Sequence, residues 1–162
     1  MSPSLRDEIH QRKPFDSAAE EAFLNLQRTA GLLMRDLGLQ LRRHSPKGLV
    51  ISLSLYNVLR ILRGTHPESL PCGTVGERLV TPVPDVTRLI DRLERQGLAE
   101  RQRDGADRRV VRVRITAAGL ALLDELDGVV RGWLEHRVGP IGDGALESLS
   151  KLLERLRHPN DP

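Results

Sequence analysis

The spacing of apolar residues changes at Gly97, from a helical period to strict alternation. Apolar positions before Gly97 recur every three or four residues: Val83, Val86, Leu89, Ile90 and Leu93. This period predicts a helix over 82–96, which Gly97 ends. The alternation after it predicts two short strands, 98–103 and 110–115, joined by a turn. The chain must therefore place a helix directly before a β-hairpin.

Two residues indicate where that helix begins. Thr81 can cap it, because its hydroxyl can accept a hydrogen bond from a free N–H of the first turn. Pro82 suits the first helical position, where its missing N–H costs nothing. The sequence therefore predicts that the helix starts at Pro82.

Helical spacing also covers the N-terminal half. Over 16–44 the apolar residues form one stripe about seven turns long: Ala22, Phe23, Leu26, Ala30, Leu33, Leu37 and Leu41. Ser52 or Ser54 can cap a second helix that Gly64 ends. A short helix is predicted over 74–80.

The C-terminal part is helical as well. Thr116 can cap a long helix, and glycines and a proline around Gly139 interrupt it before a last leucine-rich helix. The order predicts a mainly α fold with a small β-hairpin wing, a winged helix-turn-helix over 50–115. The flanking segments 16–44 and 117–158 are predicted to be dimerisation helices, because one small winged-helix unit cannot cover their apolar surface. Residues 1–15 are expected to form a flexible arm.

Composition limits the classes of function. Of 25 basic residues 22 are arginine, and the formal net charge is +3. Aromatic residues make up only 2%, which argues against single-stranded nucleic acid, since its bases stack on aromatic faces. No motif of a hydrolase, a metalloprotease or a nucleotide-binding loop is present, so we predict neither an enzyme nor a metal or cofactor. No apolar run approaches the roughly 18 residues of a membrane span, and we expect a cytoplasmic protein.

Cys72 is the only cysteine, so an intrachain disulfide is impossible. It falls in the loop before the short helix. We expect a small buried hydrophobic residue rather than a redox centre.

The outward face of the 82–96 helix is polar. In a helix-turn-helix the second helix enters the major groove and its N-terminal residues reach base edges. Thr87 offers a methyl group to thymine, and Arg88 can bond to guanine O6 and N7. The alternative is a solvated face with ion pairs four residues apart, such as Asp91 with Arg95.

The hairpin is rich in arginine, with six within fourteen residues: Arg101, Arg103, Arg108, Arg109, Arg112 and Arg114. A loop tip carrying Arg108 and Arg109 can enter a minor groove, whose negative potential attracts guanidinium groups. Asp107 is better placed to hold one of these arginines than to meet DNA. The alternative is a charged strand edge that prevents aggregation. The predicted DNA-binding residues are Thr81, Asp85, Thr87, Arg88, Arg92, Arg95, Arg103, Arg108 and Arg109.

Four runs occur in order: DVTRLIDRLE at 85–94, GLAER at 97–101, DGADRR at 104–109 and ITAAG at 115–119. Together they resemble the recognition helix, wing and following helix of the MarR family of bacterial transcription regulators. The resemblance implies a homodimer on a pseudo-palindromic site of double-stranded DNA. It also implies repression by blocking a promoter, often relieved by a small phenolic or other amphipathic ligand, or by oxidation.

The chain departs from that family at Pro82, Pro84 and Asp85, where many relatives have small polar residues. Asp85 can accept a hydrogen bond from cytosine N4, or it can repel phosphates. Tyr56, His44 and Arg63 are candidates for a ligand pocket, and the sequence does not choose among them. A winged-helix module that binds protein, and a regulator that activates, stay open as alternatives.

Overall fold

The long apolar stripe near the N-terminus folds as a single helix. The computed structural model describes residues 3–104 and 110–158. Helix α2 spans Ala18–His44 and begins at Ser17, whose hydroxyl accepts a hydrogen bond of 3.1 Å from the Glu20 amide. Glu20 and Glu21 lie in its first turn and Arg42, Arg43 and His44 in its last, an arrangement that the helix dipole favours.

The segment before α2 contains a short helix that the sequence pattern does not predict. Helix α1 is a single turn, Leu5–Glu8, closed by a capping box between Ser4 and Asp7. Leu5 is buried, and Arg28 on α2 forms a 2.7 Å ion pair with Glu8. The flexibility of residues 1–15 stays a prediction, and the structure adds one helical turn within them. A single buried leucine in a polar stretch is too weak a signal for sequence periodicity to detect.

The central part contains three helices and three strands, in the order of a winged helix-turn-helix. They are α3 (Leu53–Arg63), β1 (Leu70–Pro71), α4 (Cys72–Glu77), α5 (Val86–Arg95), β2 (Ala99–Arg103) and β3 (Val111–Ile115). Ser52 caps α3 through a 3.2 Å hydrogen bond from the Leu55 amide. The predicted fold class, mainly helical with a small β wing, is confirmed.

The sheet has one strand more than the predicted hairpin. Its order is β1-β3-β2, and both pairs are antiparallel. Leu70 pairs with Val113, which also pairs with Arg101 on β2. A two-residue strand that ends in proline shows no alternation, so the sequence pattern cannot predict it.

Helix α5 begins four residues later than predicted. Asp85 caps it, accepting a 3.1 Å hydrogen bond from the Arg88 amide, while Thr81 and Pro82 lie in the loop between α4 and α5. Pro84 is the physical reason, because the residue before a proline is sterically disfavoured in the helical region. Val83 therefore stays outside the helix, and Thr81 is not its cap.

Helix α4 also begins earlier than predicted, at Cys72. Cys72 is thus a helical residue rather than a loop residue, and it is half-buried against the core. Its thiol is less buried than the sequence-based expectation.

The C-terminal part consists of two helices with the predicted break between them. Helix α6 spans Ala117–Arg137 and is capped by Thr116; a 3-10 turn, Gly139–Ile141, follows it. Gly142 has φ +87°, a left-handed conformation that glycine adopts without strain, and it separates the turn from α7 (Asp143–Arg157).

The core lies between α3, the sheet and the first half of α6. Its largest fully buried side chains are Leu41, Ile51, Leu55, Leu59, Leu62, Ile90, Leu93, Leu123, Leu126, Val58, Val75 and Val113. Helix α2 contributes only its last turns, through Leu41, and α7 contributes no buried residue. The core thus joins the winged helix-turn-helix to the end of α2 and the first half of α6, and α5 packs against it through Ile90 and Leu93.

Candidate nucleic-acid interface

The inner face of α5 is anchored on two sides. Ile90 and Leu93 are fully buried, and Val86 packs against the same core. Helix α4 approaches closely at Gly76, where a Cβ atom would lie 2.9 Å from Val86 Cγ2. Because this side is fixed, the other side of α5 must face outward.

The first turn of α5 presents Thr87 and Arg88 to solvent. The Arg88 side chain is 86% exposed, more than any other side chain in the described ion pairs. Arg92 is half-exposed one turn later, and Arg95 at the C-terminal end donates from Nε to the Asp91 carbonyl at 3.3 Å. The residues at the N-terminal end of the helix, where base contacts occur in helix-turn-helix proteins, are thus the most accessible.

Asp85 and Arg88 form one unit at this end. Oδ1 of Asp85 accepts from the Arg88 amide at 3.1 Å, and Oδ2 lies 2.8 Å from Arg88 Nε. Asp85 therefore has intramolecular partners for both of its oxygens. The sequence-based hypothesis gave it a direct contact with DNA.

Arg101 on β2 ties the wing to α5. Its guanidinium forms ion pairs with Asp91 and, at 2.9 Å, with Glu94, and Nη2 donates to the Thr87 carbonyl at 3.2 Å. Burial opposes the charge of Arg101, but the two carboxylates outweigh it and raise its pKa. Asp91 thus pairs with Arg101 rather than with the Arg95 side chain, which the four-residue spacing favoured. Sequence analysis missed this network because its members are joined only by the fold.

Arg112 on β3 fixes the other side of the wing. Ser69, which is buried, accepts hydrogen bonds from Arg112 Nε at 2.9 Å and from Gln102 Nε2 at 2.7 Å. Arg112 also donates to the Ser69 carbonyl at 2.6 Å and to Asp104 at 3.1 Å. The wing base is therefore a satisfied polar network, and Arg112 is a structural residue.

The remaining hairpin arginines differ in their surroundings. Arg114 forms an ion pair with Glu100 on the neighbouring strand, whereas Arg103, at the end of β2, is exposed and has no protein partner within the described ranges. The predicted residues Asp107, Arg108 and Arg109 lie outside the described residues. Of the arginine cluster that the sequence shows, half is thus used to build the wing.

A second polar cluster joins α3 to α6. The Tyr56 hydroxyl donates to Asp127 at 2.7 Å, and Arg63 forms an ion pair of 2.7 Å with the other oxygen of Asp127. Burial and the hydrogen bond to Asp127 raise the pKa of Tyr56 to about 12. Burial disfavours the Asp127 carboxylate, but the hydrogen bonds from Tyr56 and Arg63 outweigh it and lower the pKa of Asp127.

The three candidates for a ligand pocket do not lie together in the structure. Tyr56 and Arg63 meet at Asp127, and Tyr56 is only 4% exposed. His44 lies at the exposed C-terminal end of α2, where its Nδ1 is 2.9 Å from the Gln40 carbonyl of its own helix. The structure thus brings Tyr56 and Arg63 together, and both side chains bind Asp127.

Comparison with known proteins places the fold. The model of the MarR family matches residues 54–110, from α3 to the residue before β3. A MarR transcription factor from Planctomyces limnophilus is 39% identical, over 87% of this chain and 98% of that one, with a TM-score of 0.64. The chain belongs to the MarR family of transcription regulators.

Two solved structures of lower identity show how well the fold is preserved. A MarR-family regulator from Streptomyces coelicolor, solved in complex with DNA, has a TM-score of 0.78 at 18% identity and covers 94% of both chains. The PcaV regulator from the same organism, solved with its natural ligand, has a TM-score of 0.72 at 20% identity, over 92% of this chain and all of that one. At these identities the similarity is one of fold.

Two general properties of this MarR chain complete the description. Among the residues placed by the structure, no helix has both the length and the apolar character needed to cross a bilayer. Over the same residues, histidine, cysteine and carboxylate side chains do not gather in a group of three that could hold a metal ion.

Proposed function

We propose that this MarR-family chain binds double-stranded DNA sequence-specifically and regulates transcription as a repressor. The observation that carries the proposal is the first turn of α5, where Thr87 and Arg88 project from a helix whose opposite face is buried. In that orientation the turn enters a major groove while the wing lies beside the neighbouring minor groove. The DNA-bound relative from Streptomyces coelicolor supports the same use of the fold.

We propose further that the active form is a homodimer on a pseudo-palindromic operator. Large apolar side chains are exposed on α2, α6 and α7: Phe23, Leu26, Leu39, Leu134, Leu149, Leu152 and Leu156. Helix α7 has no buried residue, and its main contact is the 3-10 turn that precedes it. A second copy would cover these faces and set two α5 helices on one side of the duplex.

The proposal includes release by a small amphipathic or aromatic effector. The relative PcaV, whose structure contains its natural ligand, supports this part. An effector that changes the angle between the helix-turn-helix head and α6 would alter the separation of the two reading helices. The effector would thereby weaken DNA binding without touching DNA.

A salt titration tests the DNA part of the proposal. The probe is a duplex from the region upstream of the chain's own coding sequence, with a scrambled duplex of equal length as control. We expect tight binding to the native duplex, falling steeply with salt. Equal and weak binding to both duplexes contradicts the proposal and favours a winged-helix module that binds protein.

Variants separate the predicted contacts in the same titration. Arg103→Ala, like Arg108→Ala or Arg109→Ala, should weaken binding to all sequences and lower the salt slope by about one. Arg114→Ala is the matched control on the neighbouring strand, because Glu100 already holds its guanidinium. A slope that falls equally in Arg114→Ala and Arg103→Ala contradicts the assignment of Arg103.

A further inference from the structure

Asp85 uses its two carboxylate oxygens for two different tasks. Oδ1 accepts the Arg88 amide and so caps α5, whereas Oδ2 holds Arg88 Nε at 2.8 Å. The Arg88 side chain is 86% exposed, and within 3–104 and 110–158 its two terminal nitrogens have no protein partner. Asp85 therefore orients this guanidinium through Nε, while Nη1 and Nη2 face solvent and can donate hydrogen bonds to a ligand.

An exposed ion pair of this kind contributes little to folding stability, because water screens it and two side chains lose freedom. The ion pair matters more for binding, because it orients the Arg88 side chain before a ligand arrives. A guanidinium held at Nε keeps its Nη1 and Nη2 atoms in one fixed plane, which is the arrangement that guanine O6 and N7 accept. Ordering the arginine before binding also removes part of the entropy lost on binding.

We propose that Asp85 is a positioning residue for base recognition, which orients Arg88 toward a guanine and does not contact DNA itself. The inference rests on the proposed function. In a direct contact Asp85 would itself accept a hydrogen bond from cytosine N4, whereas here each of its oxygens has a partner in Arg88.

The charge of Asp85 gives the arrangement a second effect. A carboxylate next to the phosphate backbone repels DNA of any sequence, and only the pairing with Arg88 offsets that repulsion. Arg88 can keep this pairing while it binds guanine, since the base would use the terminal nitrogens. Removal of the Asp85 charge should therefore strengthen binding to DNA of any sequence, whether or not Arg88 has a guanine to bind.

Two substitutions separate the tasks. Asn and Ser are as good helix caps as Asp, so Asp85→Asn and Asp85→Ser keep the cap and remove the charge that holds Nε. We expect unchanged circular dichroism and thermal unfolding for both. Asp85→Ala serves as the control for a lost cap, and it should destabilise the protein.

The DNA experiment begins with selection of duplexes from a random library by the wild-type full-length protein. We expect a guanine at one position of each half-site, disfavoured about tenfold or more when replaced. Asp85→Asn should reduce this preference about fivefold while it binds a scrambled duplex more tightly than wild type does. A role in capping alone would leave the preference unchanged, and that result overturns the inference.

A double-substitution cycle distinguishes positioning from direct contact. Once Arg88→Ala is present, Asp85→Asn should have no further effect on base preference. If Asp85→Asn instead alters the preference at a cytosine in both backgrounds, Asp85 contacts DNA directly and the inference is wrong. Replacing the selected guanine by 7-deazaguanine, which lacks N7, should weaken wild type but not Arg88→Ala.

Failure of the two proposals can be told apart. A wild-type protein that selects no sequence overturns the proposed function and this inference with it. A wild-type protein that selects a guanine whose preference survives in Asp85→Asn and Asp85→Ser overturns the inference alone.

Discussion

The hydroxyl of Tyr56 on α3 and the carboxylate of Asp127 on α6 are joined by a 2.7 Å hydrogen bond across 71 positions of sequence. Arg63 holds the second oxygen of the same carboxylate at 2.7 Å. These bonds cross the boundary between the helix-turn-helix head and the helix that follows it. A rotation of the head against α6 must therefore break them or carry α6 along.

The ionisation of Tyr56 can be measured directly, because the chain has one tyrosine. Burial and the bond to Asp127 raise its pKa from 10.0 to about 12. We expect near-ultraviolet absorbance to titrate near pH 12 in the native protein and about two units lower in denaturant. Since the folded pKa is the higher, this contribution to stability is complete below pH 10 and is lost as pH rises toward 12.

The matched variant for this titration is Asp127→Asn, which removes the negative charge beside the phenol. Its tyrosine midpoint should move back toward 10.0, the ordinary value. A wild-type midpoint near that ordinary value, with the helical circular dichroism intact, would show that the phenol is not held as described.

Asp127 and Asp124 lie one turn apart on α6 and face the same arginine, so they form a matched pair. Asp127 is mostly buried with two bonds of 2.7 Å, whereas the Asp124 side chain is 78% exposed and 3.5 Å from Arg63. Asp127→Ala should lower the free energy of unfolding by about 1–3 kcal/mol, because it leaves the buried Tyr56 hydroxyl without its acceptor and removes the nearer carboxylate partner of Arg63. Asp124→Ala should change it by less than about 0.5 kcal/mol.

The effect of Asp127→Ala should depend on pH. The folded pKa of Asp127 lies below its ordinary value of 3.8, so the stabilisation is present above that value and is lost as pH falls below it. Urea unfolding at neutral pH and near pH 3 measures the difference. Equal losses at both pH values would contradict a contribution from the ionised carboxylate.

Gly119 is a point of close approach between α6 and the start of the wing. A Cβ there would overlap the Leu98 carbonyl oxygen and lie 2.7 Å from Ile115 Cγ1. Gly119→Ala should therefore cost about 1–3 kcal/mol in thermal or urea unfolding. Gly128→Ala, on the same helix with nothing within 4 Å of its Cβ, should be neutral or stabilise by about 1 kcal/mol. Similar behaviour of the two variants would contradict the packing of α6 on the wing.

The apolar face of α7 predicts the outcome of a charge substitution. Leu152 is 59% exposed, so Leu152→Glu removes little intramolecular packing but places a charge in the proposed dimer interface. Light scattering should show a shift toward monomer, together with weaker DNA binding. Lys151→Glu is the control on the opposite side of the helix. If both proteins have the oligomeric state of wild type, α7 is not part of the interface.

The helices and the wing could be predicted because their apolar residues repeat with a clear period. The start of α5 could not be predicted from Thr81 and Pro82, since Thr81 is a suitable cap and Pro82 a suitable first helical residue, yet the helix begins after Asp85. Pro84 and Asp85 contain the deciding signal: a proline keeps Val83 out of the helix, and a good cap follows at once. Strand β1 is too short to have a period at all.

The partners of the arginines depend on the fold. Arg101 reaches Asp91 and Glu94 because β2 folds back along α5, and Arg112 reaches Ser69 because β1 lies beside β3. The sequence separations of these pairs do not match the period of a helix or a strand. The arginine-rich wing could therefore be predicted from the sequence, but the sequence does not show which of its arginines are held by partners within the fold.

The hydrogen bond from the Arg88 amide to Asp85 restricts how this position can evolve. Only Asp, Asn, Ser and Thr place a side-chain acceptor well for the start of a helix, so other residues would weaken α5 while they altered its charge. Those four differ in charge and size, yet all keep the helix. A change in base preference at position 85 that leaves α5 stable should therefore be limited to exchanges among these four residue types.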